Sequence, residues 1–243
     1  MGTAVMVTSG KGGTGKTSLT AGVASCLAAL GHRVLCIDLD IGLRNLDLAL
    51  GLSDRAVMDF TDVMDYRCPL LSAAVEQPRI RGLYLLTAPV TAGPLDAERF
   101  CALVDEAKEY FDFVFMDSPA GLGEGFQLAR AAADRAVVVS AVDPAALRDA
   151  QRAVAELRRV DQLHLVMNRV EPKLMAKLRT SIDNAMDAAG LPLLGVVPED
   201  PSVTLAAAAG TPVIFATYKG AAPAYLNISK RILGQRVPLL HIR

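Results

Sequence analysis

Near its start the chain carries the stretch Gly10-Lys11-Gly12-Gly13-Thr14-Gly15-Lys16-Thr17, which follows a short apolar run and precedes a helical stretch. This stretch matches the phosphate-binding pattern G-x4-G-K-S/T. Its glycines let the backbone curl so that successive N–H groups converge on phosphate oxygens, and the following helix directs the positive end of its dipole at the same anion. The pattern predicts a nucleoside-triphosphate site, completed by Ser18, with Lys16 on the β- and γ-phosphates and the Thr17 hydroxyl on Mg²⁺.

Outward from this loop, short apolar runs alternate with helical stretches. The expected strands are continuous apolar runs, as in strands buried on both faces, and they cover Ala4–Thr8, Val34–Asp38, Leu83–Thr87, Phe113–Asp117, Ala136–Ser140, His164–Asn168 and Leu193–Val197. The expected helices cover Lys16–Leu30, Ala97–Tyr110, Glu124–Ala133, Ala145–Val160 and Lys173–Ala189. This alternation predicts an α/β fold, a single-domain P-loop NTPase over residues 1–238, with a mostly parallel sheet and helices on both faces.

A second group of polar residues follows the strand Val34–Asp38. The string is Asp38-Leu39-Asp40-Ile41-Gly42-Leu43-Arg44-Asn45-Leu46-Asp47. If strand geometry persists beyond Asp38, Asp38 and Asp40 point to the same side, because side chains alternate with a period of two. Two carboxylates at a strand's carboxyl end can hold the water ligands of Mg²⁺ and orient an attacking water.

A third motif is Phe113-Val114-Phe115-Met116-Asp117-Ser118-Pro119-Ala120-Gly121. Four apolar residues that end in an aspartate indicate a Walker B strand, so we expect Asp117 to hold Mg²⁺ through water. Gly121 can bring a backbone N–H near the γ-phosphate and respond when that group leaves.

These three motifs resemble the MinD/ParA family of deviant Walker A P-loop ATPases. The specific features are Lys11 inside the phosphate loop, the string from Asp38 to Asp47 and the string from Asp117 to Gly121, and the resemblance extends from Met1 to about Pro238. One departure is Gly123, which stands where the family has an acidic residue, and no role is therefore assigned to Glu124.

The resemblance implies ATP and Mg²⁺ as ligands and ATP hydrolysis as the activity. It assigns catalytic roles to Lys11, Lys16 and Asp40, and metal-binding roles to Thr17, Asp38 and Asp117. By this resemblance Lys11 reaches across a dimer interface to the other subunit's nucleotide, a contribution of the arginine-finger type that is worth about 10³–10⁵ in rate. Asp40 positions the hydrolytic water and Asp38 supports the metal. The alternative for Lys11 is a solvated loop lysine. The alternative for the two aspartates is that Asp38 caps a turn and only Asp40 takes part, or the reverse.

The sequence indicates the adenine site less clearly than it indicates the phosphate site. Asn168-Arg169 ends one expected strand and Pro198-Glu199-Asp200 follows another. An asparagine amide offers a donor and an acceptor, which suits the adenine edge, although an asparagine that only forms a turn is the alternative. In the family these two stretches flank the adenine.

The resemblance also implies an ATP-dependent homodimer that helps to position the division septum. MinC and MinE-like regulators would contact the surface near the helix start at Asp143–Asp149, although Asp149 and Arg152 could equally be an ordinary solvated face. A flagellar-number regulator and a ParA-type partitioning ATPase of the same group remain alternatives. The net charge of −1 and pI near 6.3 argue against a nucleic-acid partner.

The expected location is cytoplasmic, free or peripherally attached to the membrane. The chain has no apolar run near the roughly 20 residues that span a bilayer. Beyond an expected last helix, Tyr225–Leu233, the tail of residues 239–243 is too short for a stable interfacial helix. We expect this tail to pack on the domain or to be disordered, and we expect weak membrane binding.

Overall fold

A computed structural model describes residues 1–240 and 242. Within them the strands are β1 (Thr3–Thr8), β2 (Val34–Asp38), β3 (Val75–Glu76), β4 (Leu83–Leu86), β5 (Phe113–Asp117), β6 (Arg135–Ser140), β7 (Gln162–Val170) and β8 (Leu193–Pro198). The helices are α1 (Lys16–Ala29), α2 (Leu46–Leu50), α3 (Phe60–Met64), α4 (Leu70–Ala73), α5 (Ala97–Tyr110), α6 (Glu124–Ala132), α7 (Pro144–Glu156), α8 (Pro172–Leu178), α9 (Ile182–Ala189), α10 (Pro201–Ala208), α11 (Val213–Ala216) and α12 (Ala221–Ile232).

All the strands belong to one sheet, in the order β3-β4-β2-β5-β1-β6-β7-β8. Every neighbouring pair is parallel except β3 with β4. The predicted fold class is therefore confirmed. The antiparallel edge strand β3 was not predicted, because two residues are too short to show a periodicity.

The sheet separates two hydrophobic clusters, so helices cover both faces as predicted. Alternate residues of β1 enter different clusters: Ala4 and Met6 one of them, Val5 and Val7 the other. On the second face, α12 lies against α1 so closely that a Cβ at Gly22 would overlap the ring of Tyr225. This contact fixes the helix that follows the phosphate loop against the last helix of the domain.

The stretch Lys173–Ala189, which was expected to form one helix, is divided into α8 and α9. Arg179 ends α8 in a left-handed conformation with φ 51°. Ser181 then begins α9, because its side chain accepts the N–H of Asn184. Serine favours this N-cap role over a position inside a helix.

Another difference from the prediction is the end of β7. The strand continues to Val170, with an irregular register after Met167, whereas its predicted end was Asn168.

Parts of the tail lie against the domain. Leu240 and Ile242 are partly buried on the two hydrophobic clusters, while Leu239 is 48% exposed. His241 and Arg243, which belong to the expected tail of residues 239–243, lie outside the described residues. In the described part of the chain, no helix is both long enough and apolar enough to cross a membrane.

Candidate functional site

The phosphate loop joins the carboxyl end of β1 to the first turn of α1. Gly15 is the N-cap of α1 and has φ 85°, and Gly13 has φ 77°, so both occupy the left-handed region that glycine adopts without strain. A Cβ at Gly10 would overlap the carbonyl oxygen of Asp149 in α7. The loop thus needs glycine both for its curvature and for its contact with α7.

Lys16 lies in the first turn of α1 and is only 8% exposed. Burial lowers the pKa of its ammonium, while the carboxylates of Asp117 and Asp40 oppose that shift. Among the described residues, the buried hydroxyl of Thr14 in the same loop has no hydrogen-bond partner. A buried cation and an unpaired donor at a helix N-terminus are suited to a phosphate group.

Two buried aspartates lie side by side at the carboxyl edge of the sheet. Asp38 of β2 and Asp117 of β5 are paired in the parallel register. Burial is the main cause that raises the pKa of Asp117 to about 7, with the charge of Asp38 as the second cause. Burial also raises the pKa of Asp38 to about 6. A cation nearby would favour the ionised form of both carboxylates.

The donor set next to α1 fits Mg²⁺. The Thr20 hydroxyl lies 3.3 Å from Oδ1 of Asp117, and the Thr17 side chain is close enough to lower the pKa of that carboxyl against the effect of burial. Hydroxyl and carboxylate oxygens are the ligands that Mg²⁺ takes, usually together with waters and substrate phosphates. Within residues 1–240 and 242 there is no group of three or more His, Cys, Asp and Glu side chains that would form a complete protein cage for a metal ion.

The alternation expected across Asp38 and Asp40 is wrong, because β2 ends at Asp38. The chain turns there, since the backbone N–H of Asp40 donates to Oδ1 of Asp38 at 2.9 Å. The N–H of Leu46, the first residue of α2, donates to the other oxygen at 3.1 Å. Asp38 therefore also holds the segment that carries Asp40, and Asp40 remains close enough to Lys16 to raise the pKa of that amine.

A cavity of about 240 Å³ lies beside the loop at the predicted adenine site. Its lining includes all five residues predicted for the adenine site and Ser18, together with the buried Tyr225. The amide nitrogen of Asn168 donates to the carbonyl of Thr14 at 2.7 Å. Asn168 is therefore also an anchor for the phosphate loop, a role that the sequence did not reveal because the two residues are 154 positions apart.

Arg169 provides a second anchor. Its guanidinium donates to both oxygens of Glu199, at 2.7 and 3.3 Å, and to the carbonyl of Gly13 at 3.1 Å. Its φ of 56° is unusual for arginine and departs from regular strand geometry near the end of β7. The ion pair with Glu199 raises the pKa of Arg169. Both members of the pair line the adenine cavity and a second cavity of about 260 Å³.

This second cavity lies on the side of the ion pair away from the adenine cavity, and Lys11 is one of its lining residues. The Lys11 side chain is 49% exposed, and its Nζ lies 3.8 Å from Oδ1 of Asp143. Asp143 is the N-cap of α7, where its side chain accepts the N–H of Ala146. Nearly two turns further along α7, Asp149 and Arg152 form a partly exposed ion pair at 3.4 Å.

A parallel sheet that brings a phosphate loop and two buried aspartates to one edge defines a P-loop protein that binds nucleotide and Mg²⁺. Residues 5–213 match the family model described as the CobQ/CobB/MinD/ParA nucleotide binding domain. Within that group, relatives 39% and 40% identical over 98% of the chain place it in the MinD family of septum site-determining proteins.

Full-length relatives support this assignment. The septum site-determining protein MinD of Bacillus subtilis is 40% identical over 246 residues, which cover 98% of this chain and 92% of the relative. The MinD protein of Helicobacter pylori is 39% identical, with 98% and 93% covered.

Solved structures support the same family assignment. A chain of the MinC:MinD cell division protein complex of Aquifex aeolicus matches with a TM-score of 0.91 and 34% identity, covering 98% of both chains. The Pyrococcus horikoshii septum site-determining protein MinD, solved with Mg-ADP, matches with a TM-score of 0.85 and 26% identity over 96% of both chains. A ParA family ATPase of Chlorobium tepidum, at 18% identity and a TM-score of 0.82, shares the fold.

Proposed function

We propose that this protein is an ATP-hydrolysing switch that dimerises when ATP is bound and helps to position the division septum. The observation that carries the proposal is the presence of two lysines in one phosphate loop in different environments. Lys16 is buried at the start of α1, whereas Lys11 is half-exposed and lies at the mouth of a cavity. The first is suited to the nucleotide of its own protomer, and the second is free to reach a nucleotide outside it.

In this proposal the residues of one protomer bind and orient the triphosphate. Lys16 and the loop N–H groups contact the phosphates, and the adenine occupies the cavity next to Asn168 and Asp200. Thr17, directly or with waters held by Asp38 and Asp117, would hold Mg²⁺, which neutralises part of the phosphate charge when it is bound.

Asp40 is proposed to orient the attacking water. The water oxygen forms a bond to the γ-phosphorus, and the bond from that phosphorus to the bridging oxygen of ADP breaks. The products are ADP and inorganic phosphate. Lys11 of a second protomer would stabilise the negative charge that develops on the transferring group.

Exposed apolar side chains support the dimer. The segment after β2 presents Leu43, which is 69% exposed, and the segment after β5 presents Leu122, which is 41% exposed. Both segments follow strands that end beside the phosphate loop, so the edge that displays Lys11 also displays leucines. A second copy of the chain on this edge would bury them and bring two phosphate loops face to face.

Light scattering of the purified protein tests the switch. With Mg-ATP and a variant too slow to hydrolyse it, Asp40→Ala, we expect the mass of a dimer, and with Mg-ADP that of a monomer. The same mass in both nucleotides would contradict the proposal. Release of phosphate from ATP by the wild-type protein is the accompanying measure of hydrolysis.

We further propose that MinC and MinE-like regulators are its partners. The Aquifex aeolicus complex supports the first of these, because it joins MinC to a MinD chain that resembles this one over 98% of its length. Binding assays with purified MinC, with and without ATP, separate this role from a flagellar or partitioning role. No binding to MinC in either state would favour the alternatives.

A further inference from the structure

At the amino edge of the sheet, opposite the phosphate loop, lies a cavity of about 410 Å³. Its walls are the first residues of β1, β6, β7 and β8 on one side and the end of α12 on the other. It is larger than either cavity beside the phosphate loop, at about 260 and 240 Å³. The length of β6 separates the two edges, about 16 Å for its five residue steps. This cavity is therefore distinct from the nucleotide site.

The polar lining of this cavity is basic. Arg135 and Gln162 are register partners at the start of β6 and β7, and alternation places His164 on the same face as Gln162. Arg231 enters from the last turn of α12. Among residues 1–240 and 242, none of those that line the cavity is an aspartate or glutamate. The carboxylate nearest to Arg135 in sequence, Asp134, is bound to Lys108 at 3.2 Å and to the N–H of Ala4 at 2.8 Å.

The positive charges in the cavity lack anionic partners among the described residues. Arg231 donates only to backbone carbonyls, to Leu194 at 2.7 Å and to Val237 at 2.6 and 3.1 Å. Those bonds use one hydrogen on each nitrogen and leave two of its five donors for another acceptor. Burial lowers the pKa of Arg231, and burial together with the charge of Arg135 lowers the pKa of His164. An anion in the cavity would reverse both shifts.

The remaining lining is apolar and extends away from the basic groups. It includes Val5, Val137 and Leu194 of the sheet, Ile232 of α12 and Leu233, which caps that helix. A cavity of several hundred cubic ångströms is typical of a small organic ligand, whereas inorganic phosphate would fill only a fraction of it.

The negative end of the α12 dipole does not exclude anions from the site. The last carbonyls of the helix accept the N–H groups of Leu233, Gly234 and Gln235.

We propose that this cavity binds an organic anion, whose phosphate or carboxylate contacts Arg135 and Arg231 and whose apolar part lies against Val5 and Leu194. Such a ligand could be a soluble metabolite or the headgroup region of an anionic lipid, since both carry the same two chemical parts. The tail beyond α12 is connected to the site, because Arg231 donates to the carbonyl oxygen of Val237.

Calorimetric titration of the full chain with octyl phosphate, below its micelle concentration, tests the proposal. Saturating Mg-ADP is present so that the phosphate loop is occupied. We expect one saturable site, and at least tenfold weaker binding for Arg135→Gln. The matched control Arg55→Gln changes an exposed arginine far along the chain and should alter the affinity less than twofold. Octyl glucoside, with the same apolar chain and no charge, should not saturate.

Vesicles identify the source of the ligand. Binding to phosphatidylglycerol vesicles that is lost in Arg135→Gln would indicate a lipid, whereas binding of octyl phosphate alone would indicate a soluble metabolite. Absence of saturable binding in the presence of Mg-ADP, or equal affinity in Arg135→Gln, would each overturn the proposal. Mg-ADP affinity of Arg135→Gln, measured in parallel, should match that of the wild type and shows that the variant is folded.

Discussion

The Nζ atom of Lys11 lies 3.8 Å from Oδ1 of Asp143, so an ion pair joins the phosphate loop to the start of α7 within one protomer. Both side chains are partly exposed, at 49% and 39%. A pair of this kind contributes only about 0–1 kcal/mol. Lys11 can therefore exchange Asp143 for a more strongly charged partner, such as a nucleotide in a second protomer, at little cost.

Asp143→Asn should strengthen ATP-dependent dimerisation by up to about 30-fold, because the dimer contains two such pairs and each is worth up to about 1 kcal/mol. Asparagine still accepts the N–H of Ala146, so the cap of α7 is kept while the charge is removed. Sedimentation at several protein concentrations measures the effect, with Asp183→Asn as an exposed control. Weaker dimerisation would instead show that Asp143 contributes to the interface.

Lys11→Ala should bind ATP with nearly the wild-type affinity but remain a monomer. The reason is that Lys11 is half-exposed and forms an exposed ion pair with Asp143, whereas Lys16 is the buried lysine of the loop. Light scattering with ATP measures the mass, and hydrolysis should fall by at least about 10³ if the lysine acts in trans. A normal dimer would exclude that role.

Lys16→Ala should weaken ATP binding by at least about 100-fold, because two charge-assisted hydrogen bonds at about 1.5–3 kcal/mol each would be lost. Lys219→Ala removes an exposed lysine outside the loop and is the matched control. Calorimetric titration gives both affinities. ATP affinity within a few-fold of the wild type would contradict the placement of Lys16 on the phosphates.

Asp40→Ala should bind ATP and dimerise but hydrolyse it at least about 100-fold more slowly, in the range that positioned acid–base groups contribute. The backbone N–H of Asp40, which contacts Asp38, is unaffected by this change. Single-turnover hydrolysis measures the chemical step, with Asp183→Ala as the control. Wild-type turnover would remove Asp40 from the mechanism.

Asp117→Asn should stabilise the nucleotide-free protein above neutral pH. The folded pKa of Asp117, about 7, lies above its value in the unfolded chain. Between those two values the folded state binds more protons, so the free energy of unfolding falls as the pH rises from about 4 to about 7. The neutral amide removes this dependence, and we expect a gain on the order of 1–3 kcal/mol at pH 8.

Urea unfolding at pH 5 and pH 8 measures this effect. The gain at pH 8 should be reduced somewhat because Lys16 loses an attractive charge. With Mg-ADP present, the wild type should be more stable than Asp117→Asn, because the variant lacks a carboxylate that the Mg²⁺ site requires. A variant that is less stable than the wild type at pH 8 without nucleotide would contradict the assignment of a costly buried charge.

Local chemistry made most of the fold predictable. Buried parallel strands are continuous apolar runs, and β2 and β5 begin and end where the pattern indicated. The prediction of one helix over Lys173–Ala189 was wrong, because the left-handed backbone of Arg179 ends α8. The strand β3 was not predicted, because it has only two residues.

The sequence by itself determined the phosphate loop, because its residues are contiguous and their spacing fixes the backbone that they form. Only the tertiary structure decided what surrounds that loop. Strand order and register place Asp38 beside Asp117, and the end of β7 brings Asn168 to the carbonyl of Thr14. The basic cavity at the opposite edge likewise combines four strands and the last helix. These contacts depend on which strands become neighbours, and a periodicity of two or 3.6 residues carries no information about that.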